Sequence, residues 1–114
     1  MTATQTASEQ ITEAVGAWPG VTAGPGARGA FSFTLGRREL GHLHGDRVLH
    51  IGFPKGVWHE LFAAGRIEHH PVFPDTPDFA ARQLASEADV ADAIALLRLN
   101  YERVVAAHGL PAAS

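Results

Sequence analysis

Three short strand-like runs separated by glycine-containing turns constrain this chain more than any other feature of its sequence. The runs cover Ala30–Leu35, Glu39–His44 and Arg47–Phe53, and the turns contain Gly36-Arg37-Arg38 and Gly45-Asp46. In the first run, phenylalanine and leucine alternate with small polar residues, which is typical of a half-buried strand. Turns this short join antiparallel neighbours, so the sequence predicts an antiparallel β-meander.

Apolar stripes at helical spacing, each opened by a capping signal, flank these strands on both sides. Thr6-Ala7-Ser8-Glu9 fits a capping box, and Ser86-Glu87-Ala88-Asp89 opens a second, longer helix. Pro19-Gly20 stops the first helix, and His108-Gly109-Leu110-Pro111 ends the second. The two stripes consist of Ile11, Val15 and Trp18, and of Val90, Ile94, Leu97, Tyr101, Val104 and Val105.

The segment between the meander and the last helix predicts one more helix and up to two more strands. Pro54 stands at the expected first position of a short helix that ends at Gly65. The residues expected to face inward on it are Val57, Trp58, Leu61 and Phe62. Ile67–Phe73 and Phe79–Leu84 favour strands, and the prolines in 71–78 favour a loop between them.

Strands grouped together and flanked by helices indicate an α+β fold. We expect a single domain over residues 6–110, in which the N-terminal, middle and long C-terminal helices cover one face of the antiparallel sheet. A chain of 114 residues is long enough for one such core. Residues 1–5 and 111–114 are expected to be flexible ends.

Charge and composition exclude several classes of function. The net charge of -3 argues against nucleic acid as a partner, and the lack of cysteine excludes disulfides and thiolate metal sites. No run of about 18 apolar residues is present, so no membrane span is predicted. The first residues resemble no signal or transit peptide, so we expect a cytoplasmic protein, either a monomer or a homodimer. Eight arginines against the single Lys55 indicate coding bias in a GC-rich bacterial genome.

One short motif matches the sequence pattern of a dinucleotide-binding loop but lacks the structural context that such a loop needs. Gly24-Pro25-Gly26-Ala27-Arg28-Gly29 matches the G-x-G-x-x-G pattern. That pattern binds a pyrophosphate where a strand enters it and a helix leaves it, because the helix N-terminus supplies free amides. Here a strand follows, which favours a flexible hairpin loop.

The segment from Leu40 to Ile51 brings together several groups that could contact a ligand. His42 and His44 are two residues apart, so they share one face of a strand. A two-residue turn at Gly45-Asp46 would pair His44 with Arg47, His42 with Leu49 and Leu40 with Ile51 on that face, and would leave His50 on the other. The sequence thus predicts a groove with an apolar floor and a polar rim.

His42 and His44 could serve either in metal binding or in acid–base catalysis. His42 and His44 could begin a zinc or iron site, but a metal needs a further protein ligand. The candidates are Glu39, Asp46, His50, His59, Glu60, His69 and His70. Because His69 and His70 point to opposite faces of an extended chain, at most one can join a common site. His-x-His also occurs on strands with no metal, and imidazoles that titrate near neutrality are natural acid–base groups.

Other patterns favour structural explanations. No G-x-S-x-G nucleophile elbow is present, and Trp18 and Trp58 fall on helix faces expected to be inward. Arg37-Arg38, with Arg28 and Arg47, would form an anion-binding edge if the turns came together, but a solvated turn explains the pair as well.

Several motifs together carry a family resemblance. They are Trp18-Pro19-Gly20-Val21, Glu39-x-Gly41-His42-x-His44-Gly45, Ile51-Gly52-Phe53-Pro54, His69-His70 and Ala95-Leu96-Leu97-Arg98-Leu99-x-Tyr101. With these motifs the chain resembles small bacterial luciferase-like domain proteins over about residues 10–105. It departs from them at Thr76-Pro77-Asp78-Phe79, where members tend to read Ser-Gly-Trp.

The family name implies an oxygenase, yet flavin-dependent luciferases are large barrels that a chain of 114 residues cannot form. Because every catalytic constellation in the sequence is incomplete, our first hypothesis is a module that binds a small ligand or a protein partner. Its candidate contacts are Glu39, His42, His44, Arg47, His69 and His70. The second is an oxygenase-type or metal-dependent enzyme that uses His42 and His44. A fainter resemblance to double-wing DNA-binding proteins gives a third, against which the negative charge argues. No catalytic residue or cofactor is identified.

Overall fold

The strand-like runs of the sequence form the centre of a six-stranded sheet in the computed structural model, which describes residues 5–70 and 79–111. The strands are β1 (Val21–Pro25), β2 (Phe31–Leu35), β3 (Arg38–His44), β4 (Val48–Gly52), β5 (Glu68–His69) and β6 (Phe79–Gln83). Their order in the sheet is β1-β2-β3-β4-β6-β5, and each neighbouring pair is antiparallel. The predicted meander is confirmed as β2, β3 and β4.

The helices in the described part of the chain are α1 (Ala7–Gly16), α2 (Lys55–Ala63) and α3 (Glu87–His108). Both predicted capping boxes are present: Thr6 and Glu9 close one at α1, and Ser86 and Asp89 close the other at α3. Helix α3 ends at Gly109, whose φ of 74° suits glycine. Local sequence signals therefore account for both ends of α3.

Helices α1 and α3 pack together, and α3 lies on β3 and β6. Phe33, Leu43 and Leu49 of the sheet form one core with Leu96 and Leu97 of α3. Helix α2 packs at the β6–β5 edge, where the indole N–H of Trp58 donates to the carbonyl of Phe79 at 2.8 Å. The fold is α+β, as predicted, and the opposite face of the sheet carries the groove described below.

Strand β1 was not predicted. Its sequence, Val-Thr-Ala-Gly-Pro, contains glycine and proline, which are depleted in strands, but as an edge strand it pairs on one side only. Gly24 and Pro25 belong to β1, and a three-residue 3-10 turn (Ala27–Gly29) leads into β2. The G-x-G-x-x-G match therefore joins two antiparallel strands, and no helix of the phosphate-binding kind follows it.

Other expectations need correction or fall outside the described residues. Pro54 is the N-cap of α2, one position earlier than predicted, and Phe62 is 40% exposed, although it was expected to face inward. Trp18 lies beyond the end of α1 and packs, half-buried, against Tyr101. The predicted loop 71–78, the end of the predicted strand 67–73 and most of both predicted flexible ends lie outside the described residues.

Candidate functional site

The hairpin between β3 and β4 has a longer loop than the sequence predicted, and this changes the faces of its residues. His44 pairs with Val48 and His42 pairs with His50, so the loop comprises the three residues Gly45, Asp46 and Arg47. The predicted two-residue turn and its pairing of His42 with Leu49 are wrong. A shift of one residue exchanges the two faces of a strand, so every side chain of β4 lies opposite to its predicted side.

This register places three imidazoles on one face of the sheet. The ring centroids of His42 and His44 are 5.0 Å apart, those of His42 and His50 5.3 Å, and those of His44 and His50 4.6 Å. One ring nitrogen from each of the three residues lies within 4.8 Å of the other two. We call His42, His44 and His50 the histidine triad.

A β-bulge in β3 brings a carboxylate to the triad. Phe33 pairs with Gly41 while Thr34 pairs with Glu39, so Leu40 is the extra residue and turns into the core, not towards the histidines as predicted. Glu39 and His42, which would lie on opposite faces of a regular strand, are in contact: Nδ1 of His42 is 3.2 Å from Oε1 of Glu39.

The same carboxylate accepts from the Ser32 hydroxyl at 3.0 Å. The hydrogen bond with His42, partly offset by burial, holds the pKa of Glu39 below its usual range. Glu39 is therefore ionised at neutral pH and is held by both neighbours.

The consecutive His69 and His70 separate as expected for an extended chain. His70 is buried with its ring 4.1 Å from that of His50, whereas His69 packs against the rings of Trp58 and Phe62 at 5.4 and 4.7 Å. His70 thus extends the triad into a row of four imidazoles.

His50 is the most deeply buried of the histidines in the triad. Its side chain is 9% exposed, and its buried Nε2 has no hydrogen-bond partner among the described residues. Burial first, and then the neighbouring charges of His70, His44 and His42, lower the pKa of His50 to about 4. Burial is also the main cause of the lowered pKa of His70. Both imidazoles are therefore neutral at physiological pH.

A groove of about 360 Å³ opens beside the triad and runs from the β3–β4 loop across β4 and β6 to β5. His44 and His50 line it, together with Arg47 at one end and Glu68 at the other. The remaining lining residues are Val48, His69, Ala81 and Gln83. The groove thus combines a small apolar surface with cationic, acidic and imidazole groups.

The structure distributes the predicted site residues over three places. Glu39, His42, His44 and His70 lie in or beside the histidine cluster, and Arg47 lines the groove. His69 reaches the groove from the side of α2. Of the further metal candidates, His59 and Glu60 are exposed on α2, and Asp46 accepts a hydrogen bond from the Ser8 amide of α1.

His50 was weighed only as one of several third ligands and was expected on the other face. Its sequence neighbours carry no signal for its orientation, because that depends on the length of the loop. Glu68 and Gln83 were not predicted as groove residues, since their strands are joined to the site only through the sheet.

The arginines considered for an anion-binding edge do not all lie together. Arg37 precedes β3 and Arg38 opens it, whereas Arg47 follows the end of the strand. The strand from Arg38 to His44 spans roughly 20 Å, so Arg37 and Arg38 are far from Arg47.

The fold and the site together define a small α+β protein with a histidine-lined groove on the sheet face opposite its helices. Comparison with known proteins gives this class a name. A sequence model of the Luciferase domain family matches residues 37–100, more than half of the chain, so the chain belongs to that family. The match includes the whole triad, Glu39 and His70.

No curated protein and no solved structure matches the chain. Within the described residues, no helix is long and apolar enough to cross a membrane.

Proposed function

We propose that this protein binds a small organic acid in the groove beside the histidine triad. The observation that carries the proposal is the arrangement of charges along the groove, with Arg47 at one end and Glu68 at the other. Such an arrangement selects a ligand by its polarity as well as by its size.

The volume of the groove sets the size of the ligand. About 360 Å³ lies at the lower end of the range for pockets that hold small organic molecules. Val48 and Ala81 supply apolar surface in the groove, which suits a ligand with a small hydrocarbon body. A small aromatic ring fits both requirements.

The polar ends set the orientation of the ligand. Arg47 and His44 belong to the β3–β4 hairpin, and Glu68 lies on β5, which is two strands away from β4. The step across two strands is about 10 Å. Arg47, whose carbonyl accepts a hydrogen bond from the Leu84 amide, is also offset by about 10 Å along the strands from Ala81, the partner of Glu68, so the two backbone positions are roughly 14 Å apart. An acidic group would pair with the Arg47 guanidinium, and a hydroxyl at the far end would donate to Glu68.

Membership of the Luciferase domain family supports an organic ligand. The family name implies an oxygenase that acts on a small organic molecule, and a groove of this kind would hold such a molecule. An oxygenase reaction is the alternative function, with the bound acid as its substrate.

The test is ligand-observed NMR on untagged protein in the presence of a chelator. The probes are 4-hydroxyphenylacetate, phenylacetate and tyramine, which carry the acid and the hydroxyl, the acid alone, and an amine with the hydroxyl. We expect the affinities to fall in that order. Equal binding of tyramine and 4-hydroxyphenylacetate, or no binding of any probe, would overturn the proposal.

Two arginine variants give a matched comparison. Arg47→Ala should weaken 4-hydroxyphenylacetate binding by about tenfold or more, because it removes a charged hydrogen bond. Arg37→Ala removes an exposed arginine at the other end of β3 and should leave binding unchanged. An equal loss of affinity in both variants would contradict a specific role for Arg47, because it would show only a general attraction between the protein's positive charge and the acid.

A further inference from the structure

We infer that His42, His44 and His50 bind one divalent first-row transition metal ion, of the zinc class, at the wall of the groove. The three ring nitrogens lie within 4.8 Å of one another. Nitrogens that bind one tetrahedral zinc ion at about 2.1 Å are about 3.4 Å apart, so modest rotations of the rings would complete the site. His42 and His44 are partly exposed and have room to make them.

His50 supplies the second, independent observation. It is a nine-tenths buried imidazole whose Nε2 finds no hydrogen-bond partner in residues 5–70 and 79–111. Leaving such a nitrogen unpaired is unfavourable, and a bound ion would offset that cost.

Glu39 supplies the outer contact that metal-bound histidines commonly have. When Nδ1–H of His42 donates to the Glu39 carboxylate, the lone pair of the ring lies on Nε2. The Ser32 hydroxyl in turn holds the carboxylate. The β-bulge at Leu40 is what places this carboxylate on the same face as the histidines.

The ligand set limits the ion and its role. Three imidazoles suit zinc, iron, copper or nickel, and a three-histidine site with an open fourth position is typical of catalytic zinc centres. His44 and His50 also line the groove, so the open position is accessible from it. The carboxylate of a groove ligand would take that position, a step that rests on the proposed function.

The test is titration of untagged, chelator-treated protein with Zn²⁺ by calorimetry, and with Co²⁺ by visible absorption. We expect one ion per chain and the absorption of a tetrahedral nitrogen-ligated Co²⁺ centre. Because His50→Ala removes a buried side chain and threatens the fold, the main variants are His42→Ala and His44→Ala. Each should weaken Zn²⁺ binding by at least about 100-fold.

Two further variants separate this site from adventitious binding. His59→Ala removes an exposed histidine of α2 and should leave the affinity unchanged. Glu39→Gln keeps the size of the side chain and should weaken binding by about 10- to 100-fold, as loss of an outer-shell partner does. Unchanged Zn²⁺ affinity in a folded His42→Ala/His44→Ala double variant would overturn the inference.

The two proposals fail separately. Binding of 4-hydroxyphenylacetate by metal-free protein that takes up no Zn²⁺ would refute the metal site and leave the groove function standing. Uptake of one Zn²⁺ with no probe bound, with or without the ion, would refute the groove function alone. Higher affinity for 4-hydroxyphenylacetate in the zinc-loaded protein than in the metal-free protein would support the contact between ligand and ion. This difference should be lost in His44→Ala.

Discussion

At the scale of single residues, His50 is kept neutral by its surroundings. It is buried between two strands and faces His42 and His44 from β3 and His70 from the end of β5. A proton on its ring would lose hydration, and it would be repelled by any of these three neighbours that is protonated at the same time. Burial is the largest cause of its lowered pKa, and the three histidines act in the same direction.

The stability of the metal-free protein should therefore fall as the pH drops below about 6.5. An unfolded histidine takes up its proton near pH 6.5, whereas folded His50 does so only at a pKa of about 4. Between these values the unfolded chain binds a proton that the folded chain does not. The full contribution is present above pH 6.5, and at most about 3 kcal/mol is lost by about pH 4.

Urea unfolding in the presence of a chelator, at a series of pH values between about 7.5 and 4, measures this loss. His59→Ala should show the same decline as the parent protein. A folded His50→Leu variant should show a smaller one, and an undiminished decline there would contradict the assignment to His50.

Asn100 is a residue whose role no sequence pattern revealed. It lies in the middle of α3, is 2% exposed, and donates from Nδ2 to the carbonyl of Leu40 at 3.0 Å. Its Oδ1 accepts from the Arg103 guanidinium at 2.8 Å. Asparagine is neutral to unfavourable within a helix, and the carbonyl of Leu40, the extra residue of the bulge, gives this buried amide its partner.

At the scale of elements, the contact of β3 with α3 depends on Gly41. A Cβ atom added there would lie 2.9 Å from Cδ2 of Leu97 and 3.1 Å from the carbonyl oxygen of His50. Glycine at this position lets the helix approach the strand closely. The glycine of the family-like motif Gly41-His42-x-His44-Gly45 is thus explained by packing.

Gly41→Ala should lower the free energy of unfolding by about 1–3 kcal/mol, because the added methyl overpacks the interface between α3 and β3. Gly56→Ala is the matched control, since an added Cβ in α2 meets nothing within 4 Å. That change should be neutral or stabilising by up to about 1 kcal/mol. Chemical denaturation midpoints of both variants test the difference, and equal effects would contradict it.

The ends of elements were the most predictable part of the fold. The capping boxes at Thr6 and Ser86 and the glycine at 109 act within a few residues, so their signals are complete in the sequence. Strand β1 was missed because its pairing with β2, not its own residues, makes it a strand.

At the scale of the whole molecule, an ion-pair network ties the β6–β5 edge to α3. Asp92 of α3 accepts from Arg66, just before β5, at 2.6 Å and from Arg82 of β6 at 2.8 Å. Arg82 also pairs with Asp89 at 2.7 Å and donates to the Arg66 carbonyl at 2.9 Å. All four side chains are partly buried, so each depends on its partners.

Asp92→Ala should destabilise the protein by about 1–3 kcal/mol, because it removes a shared partner from two partly buried guanidinium groups. The control is Glu102→Ala, which breaks the exposed pair between Arg98 and Glu102 within α3. Its cost should be about 0.5 kcal/mol or less. Thermal unfolding of the two variants compares them, and similar shifts in Tm would count against the network.

The sequence alone determined the fold class, the helices with their capped ends and the meander of β2, β3 and β4, because those features follow from local periodicity, capping and turn residues. Which histidines meet depends on contacts between residues far apart in the chain. The residues after His44 could form a two-residue or a three-residue loop, and each length gives a different register between β3 and β4. The three-residue loop that forms places Leu43 and Leu49 side by side under α3. Burial of that pair turns His50 to the face of His42 and His44, since a one-residue shift reverses a strand.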